Sequence, residues 1–281
     1  VKWAEAWLGG YWSLTAGILL FGPGANQDTY LLALLQLLAA AFSYIFSAWC
    51  DRHRRVSWLR WVPWAPLIGW TYKNIENVQM ALGRPFIDKQ LQHYEKAIWG
   101  GSPAMAFSQW LPFRPFSEFL HYCYASFFFM LAVLILRQLF RGREDLGRIA
   151  LGGAYASLVC CYSGSVLFPA VGPRPLYPAL DAALHGPAWK LCHDMSREGA
   201  AAAAAFPSGH CAFATACLVL CWKLDRRLRW IYAVWAAGVI LATVYGRFHY
   251  TLDSVAGIFI GMACAEAVLK HRPYEVGEET N

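Results

Sequence analysis

The chain of 281 residues is 58% hydrophobic, 16% aromatic and only 15% charged, with a formal net charge of +6. Soluble domains carry about 25% charged residues, so the depletion excludes an ordinary water-soluble globule and points to lipid as the solvent. The basic residues bracket apolar runs instead of forming one patch, which speaks for cytoplasmic anchoring charge and against nucleic acid as a partner.

In chain order, apolar runs of spanning quality occupy 4–21, 30–49, 119–139, 149–168, 211–224, 230–245 and 255–269. A span needs roughly 20 mostly apolar residues. A weaker run, 58–72, contains Pro63 and Pro66, and counting it gives eight. The basic runs 51–55, 137–148, 223–229 and 270–272 test that count. With eight spans and an inside N-terminus all four face the cytoplasm, as the positive-inside rule requires. The outer side then receives 73–118, the loop 169–207 and the turn 247–253. Within the first of these, 84–99 mixes charge with Phe86, Ile87, Leu91, Tyr94 and Trp99, and reads as an interfacial helix. The expected organisation is two N-terminal spans with a basic loop (1–57), a membrane core (58–270) and a polar cytoplasmic tail (271–281). Nine cysteines lie mostly in apolar runs, without a Cys-x-x-Cys pair, and read as small buried hydrophobes.

Three segments converge on the outer face. They are Val171-Gly172-Pro173-Arg174-Pro175, Phe206-Pro207-Ser208-Gly209-His210, and the stretch from Tyr245 through Arg247 and His249 to Asp253. Arg174 and Arg247 offer planar forks of donors matched to phosphate oxygens. Ser208 and Gly209 open a helix, where free N–H groups favour an anion and glycine lets the ligand approach. His249 and Asp253 are four apart and share a helix face, so the carboxylate can hold one ring nitrogen and leave the other as a nucleophile. His210, presented from a different helix, is placed to protonate the departing oxygen. No set of His, Cys, Asp and Glu on this face reads as a metal site, and no cofactor is expected.

Phe-Pro-Ser-Gly-His followed by His-Tyr-x-x-Asp resembles the type 2 phosphatidic acid phosphatase superfamily, over roughly 88–269. The resemblance implies an all-α polytopic membrane protein with a six-helix phosphatase-like core. It also implies a metal-free lipid phosphatase or phosphotransferase working through a phosphohistidine. By it His249 is the nucleophile, His210 the acid, Asp253 the partner of the nucleophile, and Arg174, Ser208 and Gly209 the phosphate cradle. Two positions depart from the family pattern: Leu167 stands where a Lys is usual and Thr243 where an Arg is usual. The segment Ala242-Thr243-x-Tyr245, with His249-Tyr250, looks more like the inositol phosphorylceramide synthase branch, and His-Tyr-Thr-x-Asp is similar to sphingomyelin synthase. That branch moves a phospho-headgroup between lipids, so the expected partners are a lipid phosphate donor and a lipid hydroxyl acceptor. Simple lipid phosphate or polyprenyl pyrophosphate hydrolysis is the alternative, and a phospholipid transporter a further one. Specificity is expected from Trp189 and Lys190 of the outer loop, from Tyr122 near the outer boundary and from Tyr245. The site is expected in a periplasm or an organelle lumen.

Overall fold

A computed structural model describes residues 2–53, 63–199 and 201–271. Among them are twelve α-helices, a 3-10 turn at Ala182–Leu184, and no strand. The helices are α1 (Lys2–Phe21), α2 (Gln27–Arg52), α3 (Trp64–Leu82), α4 (Asp88–Trp99), α5 (Pro103–Trp110) and α6 (Arg114–Ala125). They continue with α7 (Phe127–Phe140), α8 (Glu144–Leu167), α9 (Pro187–Gly199), α10 (Gly209–Leu224), α11 (Arg229–Tyr245) and α12 (Thr251–Lys270).

Helix α8 is the axis. Its run of small residues, Gly152, Gly153, Ala154, Ala156 and Ser157, is buried on every face. A helix this thin lets α1, α3, α7, α10 and α12 pack around it. Large side chains from its neighbours fill the space, among them Phe127, Met130, Leu134, Phe213 and Leu220. Helix α12 carries a second small-residue stripe. A Cβ on Gly257 would collide with the Ser208 carbonyl, and one on Gly261 with the Ala212 carbonyl. Helices α10 and α12 therefore meet backbone to backbone, which brings their N-termini to one level.

Helix α2 is the opposite case. Leu31, Leu34, Leu35, Leu38, Phe42 and Ile45 all face outward, an apolar surface far too large for water. Among the described residues three helical segments are long and apolar enough to cross a membrane, Gln27–Cys50, Glu144–Leu167 and Thr251–Lys270, or four if the bent pair α6–α7 is one span. Trp7–Phe21, Gly209–Leu224 and Arg229–Tyr245 are apolar but shorter.

Two of the eight expected spans take a different form among the described residues. The run 119–139 is not one helix: α6 and α7 meet at a 55° bend. Ser126 sits at the break, donating to the Cys123 carbonyl at 3.2 Å and accepting the Trp235 indole N–H at 2.9 Å. Side-chain bonds of this kind replace helix bonds and kink the chain. The run 58–72 lies partly outside the described residues; the described helix there is Trp64–Leu82, which Gly83 ends in a left-handed conformation. Pro63 stands at the N-cap and Pro66 in the first turn, positions where a missing N–H costs nothing.

At the end of α10 remote from His210, the buried Asp225 accepts from Arg137 at 2.7 Å and Arg141 at 2.9 Å. Two of the basic runs thus gather at one end of the bundle.

Candidate active site

His210 is in the first turn of α10, and His249 two residues before α12. The α10–α12 contact sets His210 Nδ1 3.3 Å from His249 Nε2. The other ring nitrogen of His249, Nδ1, lies 2.8 Å from the Ala205 carbonyl oxygen. A carbonyl only accepts, so Nδ1 carries the proton and Nε2 the lone pair. It follows that His210 donates from Nδ1 to His249 Nε2.

Asp253 Oδ2 is 3.5 Å from His249 Nδ1, longer than a hydrogen bond. The first partner of His249 Nδ1 is therefore a backbone carbonyl, with the carboxylate behind it. Asp253 also accepts the Tyr250 N–H at 2.9 Å, and its own carbonyl accepts the Ser208 N–H at 3.0 Å. It ties the two histidine-bearing turns together.

Ser208 is fully buried and caps α10, accepting the Cys211 N–H at 3.3 Å. A Cβ on Gly209 would meet only Leu158, at an ordinary 3.5 Å. Among the described residues nothing else crowds that position. Arg174 is half-buried; its guanidinium lies 6.0 Å from the Phe248 ring centre and makes no hydrogen bond among the described residues.

Arg247 is placed differently. It is buried, with a left-handed φ of 58°, a conformation that costs a branched backbone energy. Its two terminal nitrogens donate to the Pro178 carbonyl and, at 3.0 Å, to Ser108 Oγ. Burial lowers its pKa. Both terminal groups brace the loop after Arg174 against α5. Tyr245 is buried likewise, donating to the Leu111 carbonyl at 2.9 Å and packed on Phe107 and Phe116. Tyr122 and Lys190 are exposed and are not brought to the histidines.

Several side chains join the site that spacing along the chain does not reveal. Tyr124 stacks on His210 at 4.5 Å and on Phe248 at 4.2 Å, and Phe127 closes on His210 at 4.5 Å. Asp88 of α4 accepts the N–H groups of Val171 and Gly172, each at 2.9 Å, and the Tyr250 hydroxyl at 3.2 Å. Gln92 donates to the same Tyr250 hydroxyl at 3.0 Å, and Glu95 accepts the Thr251 N–H at 2.5 Å. Asp88, Gln92 and Glu95 recur at helical spacing, a polar stripe that was the available signal for an inward-facing polar edge. Trp189 is sandwiched between His185 at 3.5 Å and His193 at 4.1 Å. His193 lies 5.5 Å from Phe248, and burial pushes its pKa down to about 4.

Among the described residues no group of three or more His, Cys, Asp or Glu is placed to hold a metal ion. All nine cysteines are free. No curated protein and no solved structure matches the chain. Residues 89–267 match the family model described as the PAP2 superfamily. That stretch is most of the chain and contains both histidine turns and the Arg174 loop, and the protein is a member of the PAP2 superfamily, whose enzymes act on lipid phosphates.

Proposed function

We propose that the protein transfers a phosphate or phospho-headgroup of a membrane lipid to a lipid hydroxyl through a phosphohistidine on His249. The observation that carries this reading is the orientation of the His249 ring. Nδ1 is committed to the Ala205 carbonyl and Nε2 directs its lone pair at His210. In the first displacement Nε2 forms the N–P bond, the P–O ester bond breaks, and the leaving oxygen takes a proton from the imidazolium form of His210. In the second, neutral His210 accepts the proton of the incoming hydroxyl, whose oxygen forms the new P–O bond while N–P breaks. Arg174 neutralises the phosphate, and the N-terminus of α10 at Ser208 and Gly209 adds backbone donors. Arg247 and Tyr245 act indirectly, by bracing the loop. No metal ion or other cofactor takes part.

Transfer is favoured over hydrolysis by the rings of Tyr124 and Phe127, which pack on His210 and give the second displacement an apolar wall suited to a lipid acceptor. Hydrolysis of a lipid phosphate or polyprenyl pyrophosphate uses the same residues, with water as acceptor. The gathering of Arg137 and Arg141 at the far end of α10 supports a site on the non-cytoplasmic side, in a periplasm or a lumen.

The test is purified protein in lipid nanodiscs with a panel of radiolabelled phospholipids, assayed for headgroup transfer and phosphate release side by side, with and without EDTA. Labelled phosphohistidine is expected in the wild type and absent from His249→Ala, with turnover reduced by several orders of magnitude. Turnover above a tenth of wild type in His249→Ala, or complete loss on chelation, would overturn the mechanism.

A further inference from the structure

Beyond the phosphate-holding groups, three of the buried polar atoms left without partners among the described residues lie close together. His121 of α6 is 1% exposed, and its Nδ1 lies 2.7 Å from the Ser117 carbonyl oxygen. That carbonyl fixes the proton on Nδ1, so Nε2 is a lone-pair acceptor, and it is buried with no partner. His193 of α9 is 6.2 Å away ring to ring, and its Nε2 is also buried and unpartnered. Trp189 stacks on His193, and its indole N–H is buried and unpartnered too. Leaving a buried polar group unmet costs about 1–3 kcal/mol, and native proteins carry few such groups. Three within one cluster mark a place built to receive something.

The cluster adjoins the phosphate site. His121 and His193 both lie against the Phe248 ring, at 6.0 and 5.5 Å, and Arg174 sits over the same ring at 6.0 Å. Phe248 is the residue before His249 and stacks on Tyr124, which stacks on His210. The rings of Phe248 and Tyr124 therefore stand between the cluster and His210, on the side where Arg174 stands.

The donor and acceptor pattern selects the ligand chemistry. The His121 lone pair repels anionic oxygens, so a second phosphate is disfavoured there. Arg174 next to His193 disfavours an ammonium, and the same burial and charge hold His193 neutral at ordinary pH. An alkyl group would leave all three polar atoms unmet. A hydroxyl meets the requirement, because it donates to a ring nitrogen and accepts from the indole N–H. Resting on the reading of the histidine pair as the seat of the phosphate, we infer that His121, His193 and Trp189 form a hydroxyl-recognition subsite for the part of the substrate that lies beyond the phosphate. It makes the enzyme selective for phosphoesters whose headgroup carries hydroxyls.

The test uses two soluble probes that share a phosphate and differ in hydroxyls, glycerol phosphate and propyl phosphate. Protein labelled with ¹⁵N-histidine is titrated with each, and the Nε2 resonances are assigned through His193→Phe and His121→Gln. Glycerol phosphate is expected to shift the Nε2 signals of His121 and His193 in the direction of an accepted hydrogen bond, and propyl phosphate is expected to leave them in place. In His193→Phe, which keeps the stack on Trp189, affinity for glycerol phosphate should fall about tenfold toward that of propyl phosphate, the loss of about one hydrogen bond. Equal shifts with both probes, or no shift with either, would overturn the subsite. The outcome is independent of turnover. A glycerol-selective shift in a protein that turns over no phosphoester would sink the catalytic reading and keep the subsite. Turnover without the selective shift would do the reverse.

Discussion

Asp88 and Glu118 do the same thing in two regions of the molecule. Each carboxylate accepts two consecutive backbone N–H groups. Asp88 takes Val171 and Gly172, and Glu118 takes Ala188 at 2.9 Å and Trp189 at 3.1 Å. The Asp88 grip is buried and has a third arm, the Tyr250 hydroxyl. It therefore joins the loop that carries Arg174 to the turn that carries His249. The Glu118 grip is half-buried and has no third arm. It caps α9, the helix that presents Trp189 and His193. One carboxylate organises the phosphate end of the site and the other the end beyond the phosphate. A buried charge holding two loops should govern rate, and a partly exposed helix cap should govern selectivity.

The largest effect expected from breaking this comparison is at Asp88. In Asp88→Asn an amide N–H₂ faces a backbone N–H, and the charge-assisted bonds are lost. Since hydrogen bonds to charged groups contribute about 1.5–3 kcal/mol, kcat should fall about 10- to 100-fold, with KM changed much less. If Asp88 acts by positioning Arg174, the Asp88→Asn and Arg174→Ala effects will be non-additive in a double-mutant cycle. Fully additive losses would reduce Asp88 to a scaffold residue. Glu118→Gln should do less, about a fivefold change in relative kcat/KM between hydroxylated and non-hydroxylated headgroups, the scale of a lost helix cap. A uniform loss across headgroups would erase the distinction between the two grips.

Glu95 sharpens the comparison with the smallest effect. It shares the stripe with Asp88, yet one of its oxygens is buried without a partner, and burial raises its pKa. A carboxyl whose folded pKa is raised favours the folded state below the ordinary carboxylate range. That contribution is lost as pH rises through the elevated value. Glu95→Gln should therefore flatten the decline of thermal stability with rising pH just above the carboxylate range. Unchanged pH dependence would mean that Glu95 ionises freely.

The parts of the site that lie in contiguous sequence are legible from it. Pro-Ser-Gly-His and His-Tyr-x-x-Asp each sit at a helix start, where helical spacing and free N–H groups make geometry nearly automatic. The aromatic enclosure and the clamp are not legible, because Asp88 reaches residues 84 and 162 positions away, and no local period encodes which loop a carboxylate meets. Arg247 shows the same limit. A guanidinium after Gly246 reads as a phosphate ligand, but its left-handed backbone turns it to Ser108 and Pro178. The membrane helices follow hydropathy where a run is uniform, as in α8. Averaging over 119–139 conceals the break, because one small polar residue, Ser126, barely lowers the mean. The inward stripe of α4 reads from the sequence as the wet face of an interfacial helix, since buried and hydrated polar faces have the same period.

The contact of α10 with α12 through Gly257 and Gly261 has one more consequence. Helices touching through their backbones cannot part by a change of rotamer, so they hold the two imidazoles in register. The 3.3 Å between the facing ring nitrogens is a hydrogen-bond contact, with no room for a phosphorus and its oxygens. Opening has to come from the His210 side chain alone, swinging against the rings of Tyr124 and Phe127 that grip it. On the proposed mechanism those rings act as a catch that substrate binding has to release. On the same mechanism the His249 nitrogen is covered until then by the His210 ring, shielded from water and from stray electrophiles at the membrane surface.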